Sequence, residues 1–309
     1  MVLYLVDGNS YFHRAFHAIK GLTNSKGFPT NAIYGFTSMI LKILKQKKPD
    51  AIAIAFDSKE PTERHKIYEE YKAHRPETPN DLLLQIPYIK NIVSAFNIPF
   101  FAMPGYEADD IICTIAKKAA AEGADVFILS GDKDMMQAVT EQIKIYDPMK
   151  DIVIDEKAVI ERFGIVPFQV PEIMAIAGDT ADNIPGVKGI GEKTAKELIS
   201  ESGNLDNLLN HPEKIKNERL RKMITENIEI IQLSKTLATI DMDVPVEISL
   251  RDFRIKEPDW DVLNELFTEF EFKSLIKQIP KPAHTPRHRY AAITSAEQLI
   301  LFLEGKEKS

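Results

Sequence analysis

The chain has 309 residues, of which 28% are charged and 44% hydrophobic, with a net charge of −7 and one cysteine. Its length allows two domains, and its composition is that of a globular protein rather than a disordered or fibrous one. A single cysteine excludes a disulfide framework and favours the reducing cytoplasm, and no apolar run reaches the roughly 20 residues of a membrane span.

The first half of the chain alternates short apolar runs with amphipathic segments. The strands are predicted at residues 2–6, 51–56, 125–129, 143–146 and 152–154, with a short apolar run at Phe100. The helices between them are predicted at residues 32–45, 81–96 and 108–121. Buried strands alternating with helices predict an α/β fold with a mostly parallel central sheet over residues 1–165. The last two strands are expected to form a hairpin at the sheet edge.

The second half of the chain has a mainly helical pattern over residues 166–280. The predicted helices are residues 171–177, 192–201, 204–210, 218–226, 228–237 and 259–269. Residues 281–290 are rich in proline and basic side chains, which is typical of an exposed linker. Residues 291–309 open with a capping-box pattern and are expected to be the start of another domain.

Nine acidic residues follow the apolar runs or open the helices. They are Asp7, Asp57, Glu107, Asp109, Asp110, Asp132, Asp134, Asp179 and Asp182. Because open α/β sheets bind ligands beyond the carboxyl ends of their strands, we expect these acids to meet in one crevice. A turn or a helix cap explains each acidic cluster taken alone. Five such clusters together favour a shared site.

A crevice with many carboxylates needs cations, because like charges repel and lose hydration on burial. Hard oxygen ligands suit Mg²⁺ or Mn²⁺. Two such ions about 4 Å apart stabilise in-line displacement at phosphorus, and no protein nucleophile is then required. Bound ions would also offset much of the net charge of −7. That charge therefore argues only weakly against a nucleic-acid substrate.

The glycine-rich segment 184–195 is the most specific local motif in the chain. Its glycines let backbone N–H groups converge on an anion, and the helix that follows directs its positive end the same way. The residues expected to bind DNA here are Gly186, Lys188, Gly189, Gly191, Lys193 and Lys196. Such a motif holds a phosphate without reading the bases. A purely structural tight turn is the alternative.

Seven motifs, taken in chain order, resemble the 5′-nuclease domain of bacterial DNA polymerase I, within the flap endonuclease superfamily. They lie at residues 7–9, 55–57, 71–75, 105–110, 131–134, 178–183 and 184–195. The resemblance covers residues 1 to about 280 and implies a PIN-like fold. It also implies a helical arch near residues 62–96 and a helix-hairpin-helix unit with its hairpin at 184–195. Residues from 291 onward resemble the start of a 3′-exonuclease-like domain.

The resemblance also implies a role for each site residue. The metal cluster nearest the scissile phosphate would consist of Asp7, Asp57, Glu107, Asp109, Asp132 and Asp134. Asp110, Asp179 and Asp182 would either complete this cluster or hold a second ion. Lys72 and Arg75 would be catalytic and contact that phosphate, Arg14 would contact another, and Tyr71 would stack on an unpaired base. The implied cofactors are two or three Mg²⁺ ions, with Mn²⁺ as a substitute, and K⁺ at the hairpin.

These features together predict a structure-specific 5′ nuclease, a 5′→3′ exonuclease and 5′-flap endonuclease that uses two metal ions in primer removal and repair. The expected partners are DNA with a 5′ flap or 5′ end and RNA-primed DNA. We expect a cytoplasmic monomer that contacts no membrane. Whether a polymerase is fused downstream of the nuclease is left open. Two alternatives remain: a DNA-junction-binding module that does not cut, and a phosphatase acting on small esters. The full set of acids argues against the first, and the hairpin argues against the second.

Overall fold

The computed structural model describes residues 1–280, so the predicted linker at 281–290 and the segment 291–309 lie outside the described residues. Its strands are β1 (Val2–Asp7), β2 (Ala51–Ala55), β3 (Phe100–Phe101), β4 (Asp125–Leu129), β5 (Ile143–Asp147) and β6 (Ile152–Ile154). They form one sheet in the order β3-β2-β1-β4-β5-β6. Neighbouring strands pair in parallel except β5 and β6, which form the antiparallel edge hairpin. The predicted mostly parallel α/β sheet is therefore confirmed.

The helices surround this sheet and fill the second half of the described chain. They are α1 (Gly8–Ala18), α2 (Asn31–Gln46), α3 (Glu63–Ile67), α4 (Asn80–Leu83), α5 (Ile86–Ala95), α6 (Ala108–Ala121), α7 (Glu156–Phe163), α8 (Val170–Ala177), α9 (Glu192–Ser202), α10 (Leu205–Asn210), α11 (Glu218–Glu226), α12 (Ile228–Ala238), α13 (Trp260–Glu269) and α14 (Lys273–Ile276). Within residues 1–280, no helix is both long enough and apolar enough to cross a membrane.

Helix α1 was not predicted from the sequence, and it starts where β1 ends. Asp7 is the last residue of β1 and also caps α1, because its carboxylate accepts a hydrogen bond from the Ser10 amide at 2.9 Å. Residues 7–9 therefore join a strand directly to a helix rather than forming a separate turn. This junction fixes Asp7 at the carboxyl edge of the sheet.

The sheet is covered on both faces, as expected for parallel strands. Alternate residues of β1 belong to different cores: Leu3 and Leu5 pack with α6 and the helical second half, whereas Tyr4 and Val6 pack with α1, α2, α5 and α13. In β2 the side facing α6 is made of alanines at 51, 53 and 55. These small side chains let α6 lie close to the sheet. The amino terminus of α6 therefore lies near the carboxyl ends of β1 and β2.

The segment 62–96 differs from the helical arch predicted for it. Residues 68–79 contain turns and extended chain between α3 and α4, because Pro76 and Pro79 disfavour a continuous helix. Helix α5 is not part of an arch, since its side chains Ile89, Ile92 and Val93 are completely buried in the core. The apolar periodicity that predicted one helix over 81–96 belongs to this core helix.

Candidate active site

A cleft of about 560 Å³ lies at the carboxyl ends of β1 and β2, beside the amino terminus of α6. Five of the nine predicted acids line it: Asp7, Asp57, Glu107, Asp109 and Asp132. The cleft is also lined by Lys72, Arg75, Asn9, Ser10 and His13. The parallel topology thus brings together acids from four separate parts of the sequence. Burial is the main cause that lowers the pKa of His13.

Four acids, Asp7, Asp109, Asp132 and Asp134, form what we call the unpaired group. Within residues 1–280 the salt bridges at this site go to other acids and leave these four, as well as the exposed Asp57, without one. Loss of hydration is the main cause that raises the pKa of Asp7 to about 7 and that of Asp134 to about 8. Burial also raises the pKa of Asp109 and of Asp132, and nearby carboxylates add to both effects.

The unpaired group has the chemistry of a hard-cation site. In the described part of the chain, Oδ1 of buried Asp134 has no hydrogen-bond partner, an arrangement that is unfavourable for a carboxylate. No three His, Cys, Asp or Glu side chains among residues 1–280 stand close enough together to hold an ion as they are placed. The donor set therefore fits Mg²⁺ or Mn²⁺ in type and charge, but its side chains must turn toward a common point to bind one.

Asp57 lies in the cleft at the end of β2. Its Oδ1 accepts a hydrogen bond from the Ala108 amide at 2.8 Å, in the first turn of α6, and its own amide donates to Asn9 Oδ1 at 3.0 Å. The side chain is solvent-exposed, yet the crowded walls reduce its hydration and raise its pKa. The first turn of α6 thus holds one carboxylate oxygen of Asp57.

Four other acids, Glu107, Asp110, Asp179 and Asp182, form the paired group, and each is held by a cation. Lys72 Nζ lies 2.8 Å from Glu107 Oε1 and 3.5 Å from Asp182 Oδ2. Arg75 also pairs with Asp182. Although burial opposes the change, Lys72 and then Arg75 lower the pKa of Asp182. The two predicted catalytic cations therefore contact the predicted metal ligands directly.

Asp110 is held by Arg64, and the structure differs here from the predicted metal role. Arg64 donates to both oxygens of Asp110, at 2.7 and 2.8 Å. The amides of Glu107 and Asp241 donate to the same carboxylate at 3.0 and 2.9 Å. These four bonds use the lone pairs of both oxygens, and Asp110 does not line the cleft. Asp109 lies about 100° further round the helix and faces the cleft instead.

Two further side chains have contacts that differ from their predicted roles. Tyr71 is only 3% exposed, and its hydroxyl donates to Glu107 and Asp182 at 3.2 and 3.3 Å, so its ring is not free to stack on a base. Arg14 pairs with Asp147 at 3.3 Å and does not line the cleft. A phosphate contact by Arg14 stays a prediction, and it would compete with this ion pair.

Asp179 connects the acids to the helical second half of the chain. Lys133 Nζ lies 2.6 Å from Asp179 Oδ2, and the Ala181 amide donates to Asp179 Oδ1 at 2.7 Å. Lys133 was not singled out from the sequence, although it lies between Asp132 and Asp134 in the same motif. Arg64 was also missed, and no local pattern in its charged segment distinguishes it from its neighbours.

The hairpin at 184–195 exposes Lys188, Gly189, Gly191 and Lys193, and Gly191 is the amino-terminal cap of α9. Exposed backbone amides, a helix amino terminus and two free lysines at one end of the motif suit a phosphate. The four residues therefore remain together as a candidate anion-binding surface.

The other two predicted hairpin residues have structural contacts. Gly186 is buried, and its amide donates to Ser234 Oγ at 3.0 Å. A Cβ on Gly186 would lie 2.2 Å from the Gly178 nitrogen, so the close approach of two chain segments requires glycine. Lys196 pairs with Glu192 at 2.6 Å and donates to the Arg162 carbonyl at 3.1 Å. A phosphate contact by either residue stays a prediction, and for Lys196 it would compete with these two contacts.

Comparison with known families gives two matches that follow each other along the chain. Residues 2–164 match the model described as the 5′-3′ exonuclease, N-terminal resolvase-like domain. Residues 165–261 match the model described as the 5′-3′ exonuclease, C-terminal SAM fold. Together these two models cover most of the part of the chain that the structure describes.

Curated relatives include both short and long proteins. A 5′-3′ exonuclease of Aquifex aeolicus is 41% identical over 281 residues, which are 90% of this chain and 95% of that protein. DNA polymerase I of Caldicellulosiruptor bescii is 42% identical over 285 residues, which are 90% of this chain and 33% of that protein. The chain therefore spans nearly all of the first relative and a third of the second.

Solved structures have the same fold at lower identity. T5 5′-exonuclease with bound zinc has a TM-score of 0.66 and 21% identity, and the match covers 90% of this chain and 99% of that one. The catalytic core of Rad2 in complex with a DNA substrate has a TM-score of 0.62 and 20% identity, covering 90% and 92% of the two chains.

Proposed function

The chain belongs to the 5′-3′ exonuclease family, and from this premise we propose that it is a 5′ nuclease that hydrolyses DNA at 5′ ends and 5′ flaps. The observation that carries this proposal is the cleft. It combines five carboxylates with Lys72 and Arg75 at the carboxyl ends of the central strands. A phosphodiester has the charge that these two cations attract, and the carboxylates supply hard oxygen ligands.

The unpaired group, together with Asp57, Glu107, Asp179 and Asp182, would hold two or three Mg²⁺ ions, with Mn²⁺ as a substitute. Such ions, when bound, activate water and stabilise the attacking and leaving oxygens. The protein residues fix their positions: the Ser10 amide and the Ser130 hydroxyl hold Asp7 at 2.9 Å each. Asp110 supports Glu107 through the Glu107 amide.

Lys72 and Arg75 would bind the scissile phosphate and the phosphate next to it. Both line the cleft and lie in the segment 68–79, between α3 and α4. The fixed charge of arginine and the flexible ammonium of lysine suit phosphate oxygens. In this arrangement the 5′ strand passes beside the segment 68–79 and places its phosphate between these cations and the carboxylates.

The hairpin would hold the duplex part of the substrate through its backbone. Lys188 and Lys193 are exposed there, with Gly189 and Gly191 between them. Contacts of this kind bind phosphates independently of base sequence. A K⁺ ion between the hairpin carbonyls and a DNA phosphate would extend the same contact.

The substrates proposed are DNA with a 5′ flap or free 5′ end and RNA-primed DNA, and the setting is primer removal and repair in the cytoplasm. We propose a monomer, because one chain supplies every group described above. The proposed division is a nuclease domain at 1–165 and a helical DNA-binding unit at 166–280. Polymerisation is not proposed, since the chain matches a third of the polymerase I relative.

The test is cleavage of a 5′-labelled flap substrate with Mg²⁺, with EDTA, and with the Asp134→Asn protein in Mg²⁺. Cuts near the junction that require Mg²⁺ and the Asp134 carboxylate are the expected result. Tight binding of the flap without cutting, in both Mg²⁺ and Mn²⁺, would overturn the proposal in favour of a junction-binding module. Hydrolysis of a chromogenic phosphate ester, without cleavage of DNA, would favour a phosphatase.

A further inference from the structure

The side chain of Lys72 occupies the space between two carboxylates of the site. Its Nζ lies 2.8 Å from Glu107 Oε1 and 3.5 Å from Asp182 Oδ2, and its side chain is 14% exposed. The same ammonium lies 4.9 Å from the centre of the Tyr71 ring. A cation so placed offsets part of the negative charge of the two carboxylates.

The backbone around Lys72 is held to the same region. The Lys72 amide donates to the Asp182 carbonyl at 2.9 Å, and the side chain of Asn183 donates to the Glu70 carbonyl at 2.7 Å. Lys72 has φ 57°, in the left-handed region that is unfavourable for a residue with a Cβ. The ion pairs and these hydrogen bonds together keep the segment 68–75 over the carboxylates.

Resting on the proposed function, we propose that Lys72 is an internal counter-ion that competes with divalent cations for Glu107 and Asp182. A metal ion bound to the Glu107 oxygen would lie at short range from the Lys72 ammonium, which is 2.8 Å from the same oxygen, and the two cations would repel each other. Binding of an ion to these oxygens therefore displaces Lys72. The free protein consequently binds metal more weakly than the number of carboxylates suggests.

Lys72 is suited to displacement, whereas Arg64 is not. Lysine is a compact charge on a flexible stem, and Lys72 makes one short contact and one long contact. Arg64 instead donates to both oxygens of Asp110 and to the carbonyls of Leu237 and Thr239. The planar guanidinium is thus fixed in the structure. Once displaced, the Lys72 ammonium is free to turn toward a phosphate in the cleft.

The test measures Mn²⁺ binding to the full chain without DNA, by the loss of the electron paramagnetic resonance signal of free Mn²⁺. We expect Lys72→Met to bind Mn²⁺ roughly tenfold more tightly than the wild type. Lys72→Arg keeps the charge and should restore weak binding. The matched control is Lys66→Gln, which removes a lysine six positions away whose partner is the exposed Glu63, and it should leave the affinity unchanged.

A second measurement uses the wild-type protein alone and does not depend on the folding of a variant. If the ion displaces Lys72, hydrogen exchange of the 68–75 segment should become faster when Mn²⁺ is added, because the segment loses its ion pairs. Equal Mn²⁺ affinity of wild type and Lys72→Met, or exchange that Mn²⁺ leaves unchanged, would overturn the inference. If the wild type binds no Mn²⁺ at millimolar concentration, the proposed metal-dependent function fails instead.

Discussion

The unpaired group and the paired group of acids differ although their members are interspersed along the chain. Asp109 and Asp110 are adjacent, yet burial raises the pKa of Asp109, whereas Asp110 accepts four hydrogen bonds from Arg64 and two amides. The paired acids connect the parts of the protein to one another. The unpaired acids have no salt bridge within residues 1–280, and burial raises the pKa of all four, so their ionised forms are unfavourable. Unbalanced charge of this kind is unfavourable for folding and is typical of a site built for a cation.

The largest expected effect is on DNA cleavage and distinguishes Asp109 from its neighbour Asp110. Asp109→Asn should lower the rate of flap cleavage by on the order of 1000-fold, because loss of a metal ligand removes several kcal/mol of transition-state stabilisation. In EDTA the same change should raise the melting temperature by roughly 2–4 °C, since it removes a buried acid whose ionised form is unfavourable. Single-turnover cleavage and thermal melting measure the two effects. Asp110→Asn is the control, and it should lower the melting temperature. A lower melting temperature for Asp109→Asn as well would contradict the difference between the unpaired and paired groups.

The next effect concerns the stability of the paired group. Arg64→Met should lower the free energy of unfolding by about 3–5 kcal/mol, because it leaves the buried Asp110 carboxylate without its cation. Urea denaturation measures this change. Lys66→Gln is a matched control in the same helix, because its salt bridge to Glu63 is exposed and is worth about 0–1 kcal/mol. Equal losses for the two variants would remove the distinction between buried and exposed pairs.

The third effect is on the pH dependence of stability without metal. In the folded state the pKa of Asp7 is about 7 and that of Asp134 about 8, above their usual value of 3.8. Between these limits the folded protein holds protons that the unfolded chain has released, so the free energy of unfolding falls as the pH rises. The melting temperature in EDTA should therefore decrease from pH 5 to pH 8.

Two comparisons sharpen the pH prediction. Asp134→Asn should melt with a smaller decrease over the same range, because one of the two titrating carboxylates is gone. Mg²⁺ should also reduce the decrease for the wild type, since bound ions stabilise the deprotonated acids. A melting temperature in EDTA that increases with pH would show that the unpaired acids are already ionised and stabilised by other groups.

The smallest expected effect is on DNA binding by the hairpin, where an exposed lysine is compared with an ion-paired one. Lys193 is exposed, whereas Lys196 is engaged with Glu192 and the Arg162 carbonyl. Lys193→Ala should reduce the slope of log Kd against log salt concentration for duplex DNA by about one unit. Lys196→Ala should change it less. Equal changes in the two slopes would mean that both lysines contact phosphates.

The sequence alone determined the sheet, most helices and the family resemblance. Short apolar runs and helical periodicity are local properties, so the strands β1, β2 and β4 and the helix α6 were predicted nearly at their observed bounds. The crevice at the carboxyl edge followed from the parallel order of the strands. The exceptions were α1, which shares Asp7 with a strand, the unpredicted helices α7 and α14, and the segment 62–96, where one periodic pattern contained a core helix.

Only the tertiary structure decided which charges are paired. Arg64 and Asp110 are 46 positions apart, and Tyr71 and Asp182 are 111 apart, so no local pattern relates them. Within one motif, Asp109 therefore lines the cleft whereas Asp110 belongs to a structural hydrogen-bond network. Within one hairpin, Lys193 is exposed whereas Lys196 forms an ion pair. The physical reason is that a charged side chain takes the partner that folding brings within about 3 Å, and that choice depends on packing between distant segments.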